Sequence, residues 1–141
     1  MVAGSGRPAA SRGRPGGAGG GLHLGVALDR RELAPPGGIY LVGRIGEEVV
    51  AGGGLRTIGP GIGEVKRMYV VPAWRGRGIG RRLLGALERH AVQQLGLTVT
   101  RLDTGPAQPG AKCLYESAGY RSVGNYNANA YASFWGEKRL A

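Results

Sequence analysis

With a single cysteine, Cys113, the chain has no intrachain disulfide framework and no metal site built from several thiolates. A reducing, cytoplasmic setting is the default that follows. The two histidines, His23 and His90, stand too far apart in sequence to suggest a metal pair, and no metal is expected. His23 is assigned to a flexible segment and His90 to the border of a helix's apolar face. No apolar run approaches the roughly 20 residues of a membrane span, and the N-terminus lacks the apolar stretch of a secretory signal. Acids are scarce: 9 Asp and Glu oppose 19 Lys and Arg, a formal net charge of +10. That charge favours anionic partners, but nucleotide phosphates, nucleic acid and acidic surfaces all satisfy it. Aromatic residues reach only 6%, and no RNA-binding sheet motif is present, which argues against a nucleic-acid module built on stacked bases.

Glycine is what the chain has in excess, 29 of 141 residues. Residues 1–21, MVAGSGRPAASRGRPGGAGGG, carry no hydrophobic period and cannot bury enough apolar surface to offset their ordering entropy. They are expected to form a disordered tail before one domain, 22–141. Leu22 to Leu33 reads as a short strand or helical turn, broken by Ala34-Pro35-Pro36-Gly37-Gly38. From Ile39 two β-rich runs join around Gly46-Glu47-Glu48 as a hairpin. A third strand, GEVKRMYVV, is expected to set Val65, Arg67, Tyr69 and Val71 on one face and Glu64, Lys66, Met68 and Val70 on the other. Ile79, Leu83, Leu84, Leu87, Ala91 and Leu95 recur at helical spacing, and Gly96 stops that helix. LTVTRLDT reads as a buried strand. Pro109 opens a short helix in which Ala111, Leu114, Tyr115 and Ala118 share one side and which Gly119 ends. Residues 120–126 and 132–140 read as two closing strands. The order β-β-β-α-β-α-β-β specifies an α/β (α+β) fold, a mixed sheet with helices packed on it.

Arg75-Gly76-Arg77-Gly78-Ile79-Gly80 follows a strand and opens the long helix. First-turn amides of a helix have no intrahelical partner, and the dipole there favours an anion. Glycines admit a phosphate close to the backbone, and arginines add charge. No Gly-Lys-Ser or Gly-Lys-Thr follows, so the loop is not a Walker A motif, and Arg81 stands where the third glycine of Gly-x-Gly-x-x-Gly belongs. The spacing Arg75-x-x-Gly78-x-Gly80 after Pro72 resembles the acyl-CoA pyrophosphate loop of the GCN5-related N-acetyltransferase (GNAT) superfamily. Leu114-Tyr115-Glu116-Ser117-Ala118-Gly119-Tyr120 is similar to that superfamily's L-Y-E-x-x-G-[FY] segment, in the expected order along the chain. The resemblance runs from about Ile39 to Leu140. It is closest to small bacterial members with Glu-x-Lys-Arg-Met-Tyr-Val and L-D-T-G-x-x-Q-P segments.

The resemblance implies a mostly antiparallel mixed sheet and direct acetyl transfer from acetyl-CoA, as co-substrate, to an amine of a small molecule or peptide. It implies that the main chain of Met68, Tyr69 and Val70 pairs with the pantetheine arm. Backbone amides of Arg75, Gly76, Arg77, Gly78, Ile79 and Gly80 would hold the pyrophosphate, with Arg81 near its edge. Tyr115 matches the general acid toward sulfur; its other reading is a core tyrosine. Glu64, fourteen positions before Gly78, matches the proton-accepting glutamate of histone-acetyltransferase-type members; its other reading is a solvated acid at a strand start. Gln108 replaces the asparagine that contacts pantetheine in many members. The N-terminal helices that usually wall the acceptor site are reduced or missing, so the acceptor wall could be completed by a second copy in a homodimer. An acyl-CoA-binding protein with little catalysis, acting as a sensor, is the alternative function.

Overall fold

The computed structural model describes residues 21–27, 33–106 and 109–140. The expected tail and Gln108 lie outside these residues. Among the described residues seven strands form one sheet: β1 (Leu22–Ala27), β2 (Gly38–Ile45), β3 (Glu48–Gly59), β4 (Ile62–Val70), β5 (Val99–Thr104), β6 (Arg121–Ser122) and β7 (Phe134–Arg139). Helix α1 spans Ile79–Gln93 and α2 spans Pro109–Ser117. The strand order is β1-β2-β3-β4-β5-β7-β6, antiparallel throughout except for the parallel pair β4 and β5. This is the mixed, mostly antiparallel sheet with flanking helices that the sequence specifies.

Local chemistry fixes most boundaries. The β2–β3 hairpin closes on Ile45↔Glu48, with Gly46 at a φ of 62°. Helix α1 buries Ile79, Leu83, Leu84, Leu87 and Ala91 against Ile39, Leu41, Val50, Leu55 and Val65 of the sheet. Each of the leucine, isoleucine and valine side chains contributes about 1.5–3 kcal/mol when fully buried. Gly96, at a φ of 66°, turns the chain out of that helix, and Gly119, at 104°, does so after α2.

Three expectations change. His23 lies in edge strand β1, paired with Arg44, because six residues there extend the sheet rather than staying loose. Regular alternation in β4 fails at Arg67, whose φ of 59° marks a bulge between the pairs Gly54↔Lys66 and Gly52↔Tyr69. Past it Met68 packs toward the same core as Val65, while Tyr69 is exposed. The sixth strand shrinks to two residues, since asparagine side chains take over the backbone donors of the segment that follows.

Gly52, Gly53 and Gly54 sit at the centre of β3 because bulky side chains occupy the space their Cβ atoms would need. Tyr40 crowds Gly52, Met68 crowds Gly53, and Leu33 with Tyr40 crowds Gly54. A Cβ on Gly54 would lie 2.6 Å from Leu33 Cδ1 and 3.0 Å from Tyr40 Cδ1. Gly54→Ala should therefore lower unfolding free energy by roughly 1–3 kcal/mol in urea titrations. Gly59→Ala, with open space around it, should change it by less than about 0.5 kcal/mol.

Candidate functional site

The parallel ladder runs from Ile62↔Val99 through Gly63↔Thr100 to Glu64↔Arg101 and stops there. Beyond it β4 and β5 part. Val65, Lys66, Arg67 and Met68 on one side and Asp103, Thr104 and Gly105 on the other line a cleft of about 200 Å³, with Tyr115 of α2 at its wall. Val65, Met68 and Leu102 face the helices. Glu64, Arg101 and Asp103 belong to the opposite, charged face, so the cleft passes between the two sides of the sheet.

The arginine-glycine loop stands at the open end of this wedge. After β4 a single 3-10 turn, Pro72–Trp74, leads into it. Gly76 and Gly78 have φ values of 78° and 80°, left-handed conformations that a side chain would strain. Arg75 Nε donates to Val70 O at 2.8 Å, and its guanidinium lies over the Tyr69 ring at 5.6 Å. Arg77 covers the Trp74 ring at the same distance. The first i→i−4 bond of α1 is Arg82 N to Gly78 O, leaving the amides of residues 79–81 ahead of it. No acidic residue occupies that first turn. Ile79 is a core residue, and Gly80 packs beside Leu114 of α2. Arg81 donates to Oγ and O of Ser117, tying α1 to α2.

Tyr115 is buried and meets Tyr120 edge-on, with ring centroids 6.1 Å apart. Burial, followed by the negative charge of Asp103, pushes its hydroxyl up to about 12, so it is protonated at neutral pH. Behind it, Tyr120 donates to Glu88 Oε2 at 2.7 Å and shares a 2.8 Å bond with Thr100. Lys138 holds the other oxygen of Glu88 at 2.9 Å.

Across the sheet's other face runs a row of alternating charge that no stretch of sequence displays. Cross-strand register aligns Arg56 of β3, Glu64 of β4, Arg101 of β5, Glu137 of β7 and Arg121 of β6. Arg56 contacts Glu64 at 3.1 Å and Arg101 contacts Glu137 at 2.8 Å. Glu64 is only 2% exposed. Besides Arg56 it accepts from Tyr126 Oη at 2.7 Å and Asn127 Nδ2 at 3.1 Å, with Lys66 Nζ at 3.8 Å. Burial alone would raise its pKa. The hydrogen bonds from Tyr126, Asn127 and Arg56 and the charge of Lys66 outweigh that and lower it.

Asn127 joins this row to the cleft. Its amide nitrogen donates to both Glu64 and Asp103, the latter at 2.5 Å, and its oxygen accepts from Trp135 Nε1 at 3.1 Å. The surrounding loop is laced by its own asparagines. Asn125 caps the amides of residues 127 and 128, Asn127 that of 129, and Asn129 that of 131. The site thus gains Asp103, which falls in the L-D-T-G-x-x-Q-P segment, and Tyr126, Asn127, Arg56 and Trp135, which lie in no recognised motif. The one signal is the Asn-x-Asn-x-Asn spacing of residues 125–129.

Residues 20–120 match the model of the acetyltransferase (GNAT) family, and the chain belongs to that family. It is 42% identical over 101 residues to an IAA acetyltransferase of Azospirillum brasilense, covering 70% of this chain and 65% of that protein. To the N-alpha-acetyltransferase RimI of Mycobacterium tuberculosis it is 38% identical over 101 residues, covering 70% and 61%. The chain therefore spans a little under two thirds of the length of these two curated relatives. Among solved structures, a Klebsiella pneumoniae protein provisionally named an acyl-CoA N-acyltransferase superimposes with a TM-score of 0.71 at 34% identity, covering 81% of this chain and 80% of that one. A Thermoplasma acidophilum PaiA N-acetyltransferase, solved with coenzyme A, shares the fold at a TM-score of 0.63 and 19% identity, covering 73% and 61%.

Removing a hydrogen bond to a buried carboxylate costs about 1.5–3 kcal/mol, so Tyr126→Phe and Asn127→Leu should each destabilise the fold by that order at pH 7. The lowered pKa of Glu64 makes this contribution complete above the ordinary value of 4.5 and lost as pH falls through the folded-state value. The gap between wild type and either variant, read by urea titration, should shrink when the same measurement is made near pH 3.

Proposed function

We propose that the chain is an N-acetyltransferase that moves the acetyl group of acetyl-CoA directly to an amine of a small molecule or peptide. The observation that carries this reading is the wedge between β4 and β5, with a glycine-rich helix start at its open end. Parted strands leave main-chain groups free to pair with an extended amide-bearing arm, and the loop answers a pyrophosphate at the arm's far end. The fit is supported by open space: a Cβ on Gly76 or Gly78 would meet nothing within 4 Å. Bound acetyl-CoA would supply the activated carbonyl and the leaving thiolate.

In this reading Met68, Tyr69 and Val70 pair through their main chain with the pantetheine arm. The amides of residues 75–80 hold the pyrophosphate, with Arg75 and Arg77 adding charge. Arg81 braces α1 against α2 through Ser117, beside the pyrophosphate's edge. Tyr115 Oη, kept protonated by burial, donates to the leaving sulfur. The amine must lose a proton before attack. Glu64 is a weak acceptor for it, because two side-chain donors and two cations already hold its carboxylate in the ionised form. Asp103 lines the cleft itself, so we assign it the contact with the ammonium and the relay of its proton to bulk water, and Glu64 the part of anchoring Asn127 beside it.

Isothermal titration with acetyl-CoA, paired with thiol release across an amine panel, tests the whole reading. Binding without turnover on any amine would instead favour an acyl-CoA sensor. Gly78→Val should weaken acetyl-CoA binding at least tenfold while costing only about 1–2 kcal/mol of stability, because just one left-handed residue is strained. Gly80→Val is the less selective variant, since its Cβ would start 3.3 Å from Leu114 Cδ2. Tyr115→Phe should lower kcat by roughly 10²-fold and leave the acetyl-CoA Kd near wild type. Because the hydroxyl is raised to about 12, the wild-type rate should hold past pH 10. A Tyr115→Phe enzyme with undiminished kcat would remove the tyrosine from the chemistry.

A further inference from the structure

The end of the asparagine loop is fixed against the rim of the wedge. Ser133 N donates to Thr104 O at 2.9 Å, and Tyr131 N donates to Asn129 Oδ1 at 2.9 Å. Gly105 lines the cleft, and a Cβ on it would lie 2.9 Å from Tyr131 O. Extended residues alternate between faces, so Gly105 points the same way as Asp103 and Arg101, toward the charged side of the sheet. Tyr131 therefore stands at the wedge's mouth on that side. Helix α1 packs on the other.

From this anchored backbone the Tyr131 side chain projects into water, 87% exposed. No other aromatic ring among the described residues is left so bare. Tyr69 lies beneath Arg75 and Tyr126 beneath Arg101, while Trp135 is half-buried and donates to Asn127. The remaining rings are buried in the core. A tyrosine has only two side-chain torsions to fix, so contact with it costs little conformational entropy. The cations of this face are occupied: Arg56 is bonded to Glu64, and Arg101 to Glu137. What the mouth offers a newcomer is the Asp103 carboxylate and the uncovered ring.

We infer that Tyr131 is an acceptor-binding residue that reads the group attached to the amine: the ammonium meets Asp103, and a flat apolar substituent lies on the Tyr131 ring. This rests on the wedge being the acetyl-transfer site. In that reading the cofactor's arm takes the interior of the wedge, and its pyrophosphate takes the loop that leads into α1. The acceptor then comes to the thioester from the charged side, past Tyr131. An aromatic substituent gains buried apolar area and an offset or edge-on ring contact there. A hydroxylated substituent of similar reach gains neither.

A small amine and a peptide N-terminus can both carry such a group, so the test uses a pair of each. Thiol release with acetyl-CoA gives kcat/KM for 2-phenylethylamine against ethanolamine, and for the tripeptide Phe-Ala-Ala against Ser-Ala-Ala. In at least one pair the aromatic member should exceed the polar one roughly tenfold or more, with the difference in KM. Tyr131→Ala should narrow that gap to below about threefold, while the acetyl-CoA Kd stays near wild type. Tyr131→Phe should retain the gap, since the ring and not the hydroxyl makes the contact. Wild type showing no gap in either pair, or Tyr131→Ala keeping it, would overturn the inference and leave acetyl transfer standing. So would an acetyl-CoA Kd weakened about tenfold in Tyr131→Ala, which would assign the ring to the cofactor. No turnover on any amine, despite acetyl-CoA binding, would overturn the proposed function and this inference with it.

Discussion

Two neighbouring parallel strands that pair for a few residues and then separate set the terms for everything else in this fold. A sheet normally satisfies its backbone groups strand against strand, and a gap in its middle leaves donors and acceptors that something else must meet. Here the gap opens past Glu64↔Arg101, at the end of β4 from which the chain turns into its glycine-rich loop. The bulge at Arg67 and the small residues of β3 opposite it are part of the same accommodation. Gly53 leaves room for Met68, which drops toward Leu83 on the helix side once the alternation slips. Helix α2 brings Tyr115 to the wall of the opening, and Arg81 clips that helix to α1. The opening is therefore held from both sides by covalently distant elements, which is what a preorganised site requires.

The charged face shows how a strongly basic chain keeps one buried carboxylate, Glu64, ionised inside its sheet. Glu64 is almost fully removed from water, a state that by itself favours the neutral acid. Its donors arrive from β3 and from the asparagine loop, Lys66 of β4 adds its charge, and their sum reverses the effect of burial. The alternating row from Arg56 to Arg121 gives each interior carboxylate a cation on both flanking strands. Like-charged residues directly opposite would be destabilising. Such satisfaction holds Glu64 in its ionised form, while Asp103, one strand over, is the carboxylate that lines the cleft.

Much of this was legible in the linear chain, and the exceptions share a cause. Helix α1 announced itself through Leu83, Leu84 and Leu87, the hairpin through Gly46, and the left-handed loop before α1 through glycines between a strand and a helix. These are local signals, in which residues within one or two turns settle the conformation. The two faces of β4 were misassigned because a bulge is decided by the partner strand as much as by its own residues. Glu64 could be picked out by its distance from Gly78, but its partners Tyr126 and Asn127 lie 62 and 63 positions away. Register, not spacing, brings them together. Tyr115 is a core residue at the cleft wall, and burial is what keeps its proton in place.

Net charge was the least informative number in the chain, and the loop arginines show why. Arg75 and Arg77 could serve any polyanion if they were free to sweep through solvent. Instead each guanidinium lies over an aromatic ring from the segment just before it, Tyr69 for Arg75 and Trp74 for Arg77, and Arg75 is further fixed to Val70 O. Stacking of this kind is worth about 0.5–1 kcal/mol at an exposed site, little as stability but enough to bias the rotamers of a long side chain. The positive charge is thereby fixed beside the first-turn amides of α1, where a compact phosphate group can meet both at once. A nucleic-acid surface would demand charge spread along a groove and flat rings left bare for bases. Here the rings nearest the loop are already covered by its own arginines, so the geometry of the charge, more than its amount, favours a nucleotide's pyrophosphate over a polymer's backbone.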